Sequence, residues 1–170
     1  YPSWNLIEFV DRDICDDPSG CECVEPPSGM IGWWTMDDLS NPDAIESIAG
    51  NDGIHMDDAA PAPGKVANGI KLDGDMDYVL SPYDPVFDVP AATGTNGSFS
   101  IDAWISIESQ DSFDWGPIVD KRDWGTGPGY SFYVQDGRLR LYMSDGSNTA
   151  VFQSVQVLPM NQFVHVGVAV

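Results

Sequence analysis

Three carboxylates stand at alternate positions in the run Asp73-Gly-Asp75-Met-Asp77. Residues two apart share one face of a strand, so at the junction of a strand and a turn these carboxylates can converge on one cation. Calcium suits such a site because it takes about six to eight carboxylate and carbonyl oxygens. The run is not an EF-hand loop, since Tyr78 stands where that loop requires glycine. The alternative is that Asp73 and its neighbours accept hydrogen bonds from their own turn amides.

Three tryptophans are candidates for stacking on a ligand. Trp115 and Trp124 lie in Gly- and Asp-rich segments flanking Ile118–Lys121, and binding residues concentrate in loops. Trp104 lies on the polar side of an alternating run, where an aromatic face suits the apolar face of a sugar ring. Two alternatives remain open: Trp115 and Trp124 anchor their loops, and Trp104 is covered by a neighbouring loop or by the N-terminal segment.

The cysteines and histidines carry weaker signals. Cys15, Cys21 and Cys23 lack a CxxCH motif and a nearby histidine, which argues against covalent haem and zinc. A disulfide from Cys15 to Cys21 or Cys23 is the expected arrangement, and it leaves one thiol to pair outside the chain. His165, in a valine-rich run, favours a structural role, and nothing beyond nearby aspartates supports a metal at His55.

The charge of the chain limits its partners. With 27 acidic residues against 7 basic ones, the 170-residue chain has a net charge of −20. Such a surface repels phosphate backbones and anionic lipids, so we expect neither nucleic-acid nor membrane-surface partners. The charge either attracts cations such as calcium or only keeps the protein soluble. No apolar run approaches the roughly 20 residues of a membrane-spanning helix.

The residues that position these groups alternate in the manner of β-strands. Phe99–Ile107 has period two, and Tyr130–Val134 and Arg138–Met143 flank an Asp-Gly turn typical of a hairpin. Further strands are predicted at 30–36, 70–73, 78–80, 150–157 and 163–170, and 41–48 offers the one helical turn. Short strands separated by turn residues predict an all-β protein with two antiparallel sheets packed as a jellyroll sandwich.

The chain changes in composition near residue 28. Residues 1–28 are acidic, contain all three cysteines and end in Glu25-Pro-Pro-Ser28, which predicts an extended leader or linker. Residues 29–170 are predicted to form the jellyroll domain. Its last strand, Phe163–Val170, is apolar on both faces, which is typical of a central strand with two neighbours. We therefore expect a sandwich that is incomplete at its C-terminal end, finished by further chain or by strands of another chain.

Several short motifs together resemble the laminin-G-like jellyroll domains of bacterial secreted and surface proteins, in the concanavalin A-like lectin/glucanase superfamily. The motifs occur in that family's order: Pro26-Pro-Ser-Gly-Met-Ile-Gly-Trp-Trp34, Ala49-Gly-Asn-Asp-Gly53, Ala62-Pro-Gly-Lys-Val66, Ile70-Lys-Leu-Asp-Gly-Asp-Met-Asp-Tyr-Val79, Phe99-Ser-Ile-Asp-Ala-Trp-Ile105, Ile118-Val-Asp-Lys121, Gly129-Tyr-Ser-Phe132 and Phe163-Val-His-Val-Gly-Val-Ala-Val170. Phe163 replaces the usual tryptophan, and Val164 replaces a histidine. The resemblance covers about residues 29–170.

The resemblance implies an extracellular binding module for glycans or matrix proteins, often with a structural calcium, as part of a larger secreted or surface protein. It places cation ligands near the 73–77 turn and the Asn51-Asp52-Gly53 loop, with Asp37 or Asp38 close by. The implied calcium ligands are Asp37, Asn51, Asp52, Asp73, Asp75 and Asp77. The alternative function is a structural subunit or spacer of a surface layer or extracellular fibre, completed by strands from another chain. The expected protein partners are accordingly a second copy of the chain or a chain that donates strands.

The sequence gives no indication of catalysis. Glucanases built on this fold carry two or three carboxylates on one strand. The nearest approach, Glu8-Phe-Val-Asp-Arg-Asp13, lies in the leader and lacks that spacing, and Glu46 and Glu108 are isolated. Neither a GxSxG elbow nor a glycine-rich phosphate loop is present. We therefore predict that the protein is not an enzyme.

Overall fold

The computed structural model describes residues 26–37, 43–88, 97–108, 115–122 and 128–170. The three cysteines, Asp38 and Trp124 lie outside these ranges, so the predictions made for them are not tested. The described residues up to Val86 belong to one compact unit, and those from Phe87 onward belong to a second unit. No helix in the described ranges has the length and the apolar character needed to cross a membrane.

The first unit is built from short antiparallel strands. They are β1 (Asp43–Ala44), β2 (Gly53–Met56), β3 (Ala60–Pro63), β4 (Asn68–Lys71) and β5 (Tyr78–Leu80). Strands β1, β2 and β5 form one sheet in that order, and β3 pairs with β4 in a separate hairpin. The sequence predicts a helical turn over 41–48, but in the described part of this segment Asp43–Ala44 form β1 and Glu46 forms an isolated bridge. Of the strand predicted over 30–36, Trp34 alone bridges to Glu46.

The second unit contains two antiparallel sheets. Its strands are β6 (Ser100–Ser106), β7 (Trp115–Arg122), β8 (Gly129–Gln135), β9 (Arg138–Ser144), β10 (Thr149–Gln153) and β11 (Phe163–Ala169). The larger sheet has the order β10-β9-β8-β7, and the smaller one pairs β11 with β6. In the described part of the chain, a 3₁₀ turn at Pro85–Phe87 spans the point in the sequence where the first unit ends and the second begins.

The β8–β9 hairpin confirms the turn predicted from the sequence. Asp136 and Gly137 have φ values of 51° and 68°, the two positive values that a tight two-residue hairpin turn requires. The predicted strand over 150–157 ends earlier, at Gln153. Its successor Ser154 is buried, donates its N–H to the Leu139 carbonyl at 2.9 Å and directs its hydroxyl to the Gln156 carbonyl. Ser154 is thus still paired with β9, and the ladder ends there, where its hydroxyl also accepts the Leu139 N–H at 3.1 Å.

The core of the second unit lies between its two sheets. The buried apolar residues of this core are Tyr130, Phe132, Leu139, Leu141, Met143, Leu158 and Val166. Side chains alternate between the two faces of a strand, so β8 and β9 each direct every second side chain into this core. The inner faces of β6 and β11 cover these side chains. This arrangement shows the predicted all-β, antiparallel fold with sandwich-type packing. Within the described residues, β11 has one hydrogen-bonded neighbour, β6.

Candidate functional site

The outer face of the β6–β11 sheet brings an aromatic ring, a carboxylate and an imidazole together. Trp104 and His165 are directly opposite in the register, and their ring centroids lie 5.2 Å apart at an angle of 38°. His165 Nε2 lies 3.0 Å from Asp102 Oδ2. Both polar side chains reach solvent, with 38% of His165 and 62% of Asp102 exposed. We call these three residues the outer-face cluster.

Small residues lie beside this cluster on the same face. Gly167 is the register partner of Asp102, and Ala169 is the partner of Ser100. A Cβ added at Gly167 would lie 3.4 Å from the Asp102 Cβ. Phe163, 38% exposed, lies on the same face as His165, two positions away along β11. An aromatic ring next to polar groups that can donate and accept hydrogen bonds is a chemical combination that suits a sugar, which has apolar ring faces and hydroxyl edges.

Trp115 lies in a different and more enclosed setting. It is the first residue of β7, its ring centroid lies 6.2 Å from that of Tyr133, and the Arg122 guanidinium carbon lies 4.9 Å from it. Arg122 is also held by Asp120, with nitrogen–oxygen distances of 2.6 and 2.8 Å. Tyr133 is 8% exposed. Because a guanidinium lies over the tryptophan ring and the tyrosine is buried, these contacts favour an anchoring role for Trp115.

An acidic cluster forms in the first unit from two turns. Asp58, Asp73 and Asp77 each offer a carboxylate oxygen, and these oxygens all lie within 4.8 Å of one another. Asp77 joins the turns, since its two oxygens accept N–H groups from Asp58 at 3.1 Å and Asp73 at 2.9 Å. Asp75 lies outside the cluster, and its N–H donates to Asp73 Oδ1 at 2.7 Å. Both readings of the sequence therefore describe part of this turn: the carboxylates converge, and they also accept turn amides.

The charges in the acidic cluster act on one another. A hydrogen bond to Asp77, with repulsion from Asp77 and Asp73, raises the pKa of Asp58. The backbone N–H of Asp73 is the main cause that lowers the pKa of Asp77. A cation between these groups would remove the repulsion, and an all-oxygen donor set fits a hard cation such as calcium.

The other residues implied as calcium ligands have different partners. Asp37 Oδ1 accepts the N–H of Asn68 at 3.0 Å. The Asn51 carbonyl accepts the indole N–H of Trp34 and the hydroxyl of Ser81, both at 3.1 Å. Asp52 Oδ1 accepts the N–H of Glu46 at 2.9 Å. None of these side-chain oxygens is among the three that converge in the acidic cluster.

Glu46 organises the loop that contains Asn51 and Asp52. Its side chain is 3% exposed, and its carboxylate accepts five backbone N–H groups at 2.5–3.3 Å. The donors are Trp33, Ile48, Ala49, Gly50 and Asn51. Burial acts to raise the pKa of Glu46, but these amides outweigh it, so the pKa lies below its ordinary value. Glu46 is a structural anchor of the first unit.

Sequence reasoning missed Asp58 and Glu46 for different reasons. Asp58 is far from the 73–77 run along the chain, and the only available signal is the pair Asp57-Asp58 at a turn between two short strands. Glu46 carries no motif, because its partners are backbone amides that any residue type provides. Its isolated position in the sequence is consistent with a buried structural carboxylate as well as with a solvated one.

The motifs of the second unit are matched by a known family. The family model for the concanavalin A-like lectin/glucanases superfamily, of the laminin G type, matches residues 81–170. No curated protein and no solved structure matches the chain. The matched segment contains strands β6–β11 and the outer-face cluster, and it covers more than half of the sequence. The chain therefore belongs to the concanavalin A-like lectin/glucanases superfamily.

Proposed function

We propose that the protein is an extracellular, non-catalytic module that binds carbohydrate through the outer-face cluster. The superfamily often provides carbohydrate-binding modules, and laminin-G-like members are typically extracellular and without catalytic activity. The observation that carries the proposal is the juxtaposition of a half-buried Trp104 with the solvent-reaching His165 and Asp102 on one face of the sheet. The aromatic ring would stack on a sugar, and the imidazole and the carboxylate would bind its hydroxyls.

The charge near the cluster favours a neutral glycan. Asp102 is the one charged side chain on the outer face of β6 and β11, and His165 is its partner. Sugar hydroxyls both donate and accept hydrogen bonds, so they match a carboxylate and an imidazole equally well. An extracellular matrix protein is the other partner class of this family, and binding to matrix proteins is the second outcome that a screen would detect.

We expect Trp104→Ala to weaken glycan binding roughly tenfold or more, the effect of losing a contact of about 1.4 kcal/mol. A glycan array identifies the best-bound glycan, and calorimetric titration with that glycan then measures the affinity of each variant. Trp33→Ala is the matched control, because Trp33 is 42% exposed and lies in the first unit. His165→Ala tests the same surface with a smaller loss of packing.

Thermal melts of the same variants separate binding from folding. Trp115→Ala removes a ring that contacts Tyr133 and Arg122, so we expect it to lower the melting temperature and leave the affinity unchanged. Equal affinity of the wild type and Trp104→Ala, in a variant that melts normally, would contradict the proposal. Loss of glycan binding in Trp115→Ala without loss of stability would indicate that the glycan site lies on the β7 face.

We also propose that calcium binds at the acidic cluster and supports the fold of the first unit. Asp58, Asp73 and Asp77 supply three oxygens, and water or carbonyl oxygens would complete the shell that calcium requires. The site uses Asp73 and Asp77 from the sequence prediction, and Asp58 in place of the remaining candidates. Binding to the folded state alone raises stability by mass action, because the unfolded chain has no assembled site.

We expect millimolar calcium to raise the melting temperature by several degrees relative to EDTA. Asp73→Asn should abolish this shift, because it removes one of the three converging carboxylates. Asp75→Asn is the matched control: it removes the same charge from the same turn but from outside the cluster. Identical melting temperatures in EDTA and in calcium would contradict calcium binding at the acidic cluster but would not contradict glycan binding at the outer-face cluster.

A further inference from the structure

The last part of the chain differs from the rest in charge. Residues 1–114 contain 23 of the acidic residues and 3 of the basic ones, whereas residues 115–170 contain four of each. The whole net charge of −20 thus resides in the first 114 residues. From Gly146 to Val170 there is no Asp, Glu, Lys or Arg at all. Six large apolar side chains in this stretch are exposed: Val151, Phe152, Val155, Val157, Met160 and Phe163.

Strand β10 lies in this uncharged stretch and forms an edge of its sheet. Among the described residues it is the end strand of the β10-β9-β8-β7 sheet, and all five of its residues are exposed. In the β9–β10 hairpin, the N–H of Asp145 donates to the Asn148 carbonyl and the N–H of Ser154 donates to the Leu139 carbonyl. Inward and outward backbone groups alternate along an antiparallel strand, so Thr149, Val151 and Gln153 direct theirs away from β9.

We propose that β10 is a self-association edge, at which two copies of the chain pair antiparallel through these outward backbone groups. Pairing centred on Val151 places Thr149 of one copy opposite Gln153 of the other, so every side-chain contact is uncharged. The two copies are then related by a two-fold axis, and the four-stranded sheets join into one continuous sheet. This inference is independent of the glycan site.

Charge is the reason to favour a second copy as the occupant. Two molecules with a net charge of −20 repel each other wherever their acidic regions meet, and an uncharged edge is where they approach at least cost. Natural edge strands commonly carry a lysine or another charge that prevents such pairing, and β10 carries none. A basic partner would bind to the acidic residues of 1–114 instead.

The test measures the mass of the full chain by light scattering and sedimentation over a range of concentrations, under reducing conditions. The reducing agent excludes dimers cross-linked through Cys15, Cys21 or Cys23. We expect a monomer–dimer equilibrium that strengthens with salt, since salt screens the net repulsion. Val151→Lys places two lysines opposite each other and should weaken the dimer roughly tenfold or more.

Two further variants make the result specific to the strand edge. Thr149→Lys changes a second outward position of β10 and should act like Val151→Lys, with folding checked by thermal melts. Val155→Lys is the matched control, since Val155 is 86% exposed in the same uncharged stretch but lies outside the strand. A monomer at all concentrations and salt levels would overturn the proposal. A dimer that Val155→Lys disrupts but Val151→Lys does not would overturn it equally.

Discussion

We expect Glu46→Ala to lower the free energy of unfolding of the first unit by roughly 3–5 kcal/mol, a large effect for one substitution. The alanine leaves five backbone N–H groups without their buried acceptor, and water can reach them only if the loop over residues 46–51 opens. Urea denaturation followed by tryptophan fluorescence measures the change, because Trp33 and Trp34 both adjoin this loop.

A graded comparison tests whether the five amides cause the loss. Asp52→Ala removes a single acceptor, the one for the Glu46 N–H, and should cost only about 1 kcal/mol. Glu46→Gln keeps one acceptor oxygen but places an amide NH₂ among the remaining N–H donors, so we expect a loss between those of Asp52→Ala and Glu46→Ala. If Glu46→Gln retains wild-type stability, the carboxylate is not the organising acceptor.

The pH dependence of stability gives an independent readout of the same group. The folded-state pKa of Glu46 lies below the ordinary value of 4.5, so the stabilising contribution is complete above that value. It is lost as the pH falls through the folded-state pKa, because the carboxylate then takes up a proton. We therefore expect stability to fall below about pH 4.5 in the wild type and to fall less steeply in Glu46→Gln.

Gly129→Ala should destabilise the second unit by about 3–5 kcal/mol, through backbone strain together with steric overlap. Gly129 has a φ of +154°, which L side chains rarely adopt, and it begins β8 opposite Arg122. A Cβ at this position would overlap the carbonyl oxygen of Lys121 and lie 2.7 Å from the Arg122 Cα. Both of these are backbone atoms, so neither moves without breaking the β7–β8 ladder.

Gly116→Ala is the control for the destabilisation expected of Gly129→Ala. Gly116 lies in β7 of the same strand pair, and a Cβ there would meet nothing closer than the Val134 carbonyl at 4.0 Å. We expect its stability to remain close to that of the wild type, since alanine also suits a strand slightly better than glycine. Thermal melts of both variants, followed by near-ultraviolet circular dichroism, distinguish them. Equal melting temperatures would contradict the role assigned to the Gly129 conformation.

The second unit was the more predictable of the two from sequence. The strict alternation of Phe99–Ile107 predicts a strand from the two-residue period alone. The Asp136-Gly137 pair likewise predicts its turn locally, because these residue types readily adopt the two positive φ values that the turn requires. The strand predicted over 150–157 was too long, because the pairing with β9 ends at Ser154, whose hydroxyl makes hydrogen bonds that composition does not reveal. The helical turn predicted near residues 41–48 was replaced by β1, whose pairing with β2 overrides local preference.

The amino-acid sequence by itself determined the all-β class, the strong negative charge and the membership of the superfamily, together with most of the strands of the second unit. Those properties follow from periodicity, turn residues, composition and motif order, which need no knowledge of distant contacts. Only the tertiary structure decided that Asp58 joins Asp73 and Asp77, that His165 contacts both Asp102 and Trp104, and that Glu46 accepts five amides. The first two depend on which strands pair and in which register, and a register is set by packing across the whole sheet. The Glu46 contacts depend instead on the fold of its own loop, since four of the five donors lie two to five residues away.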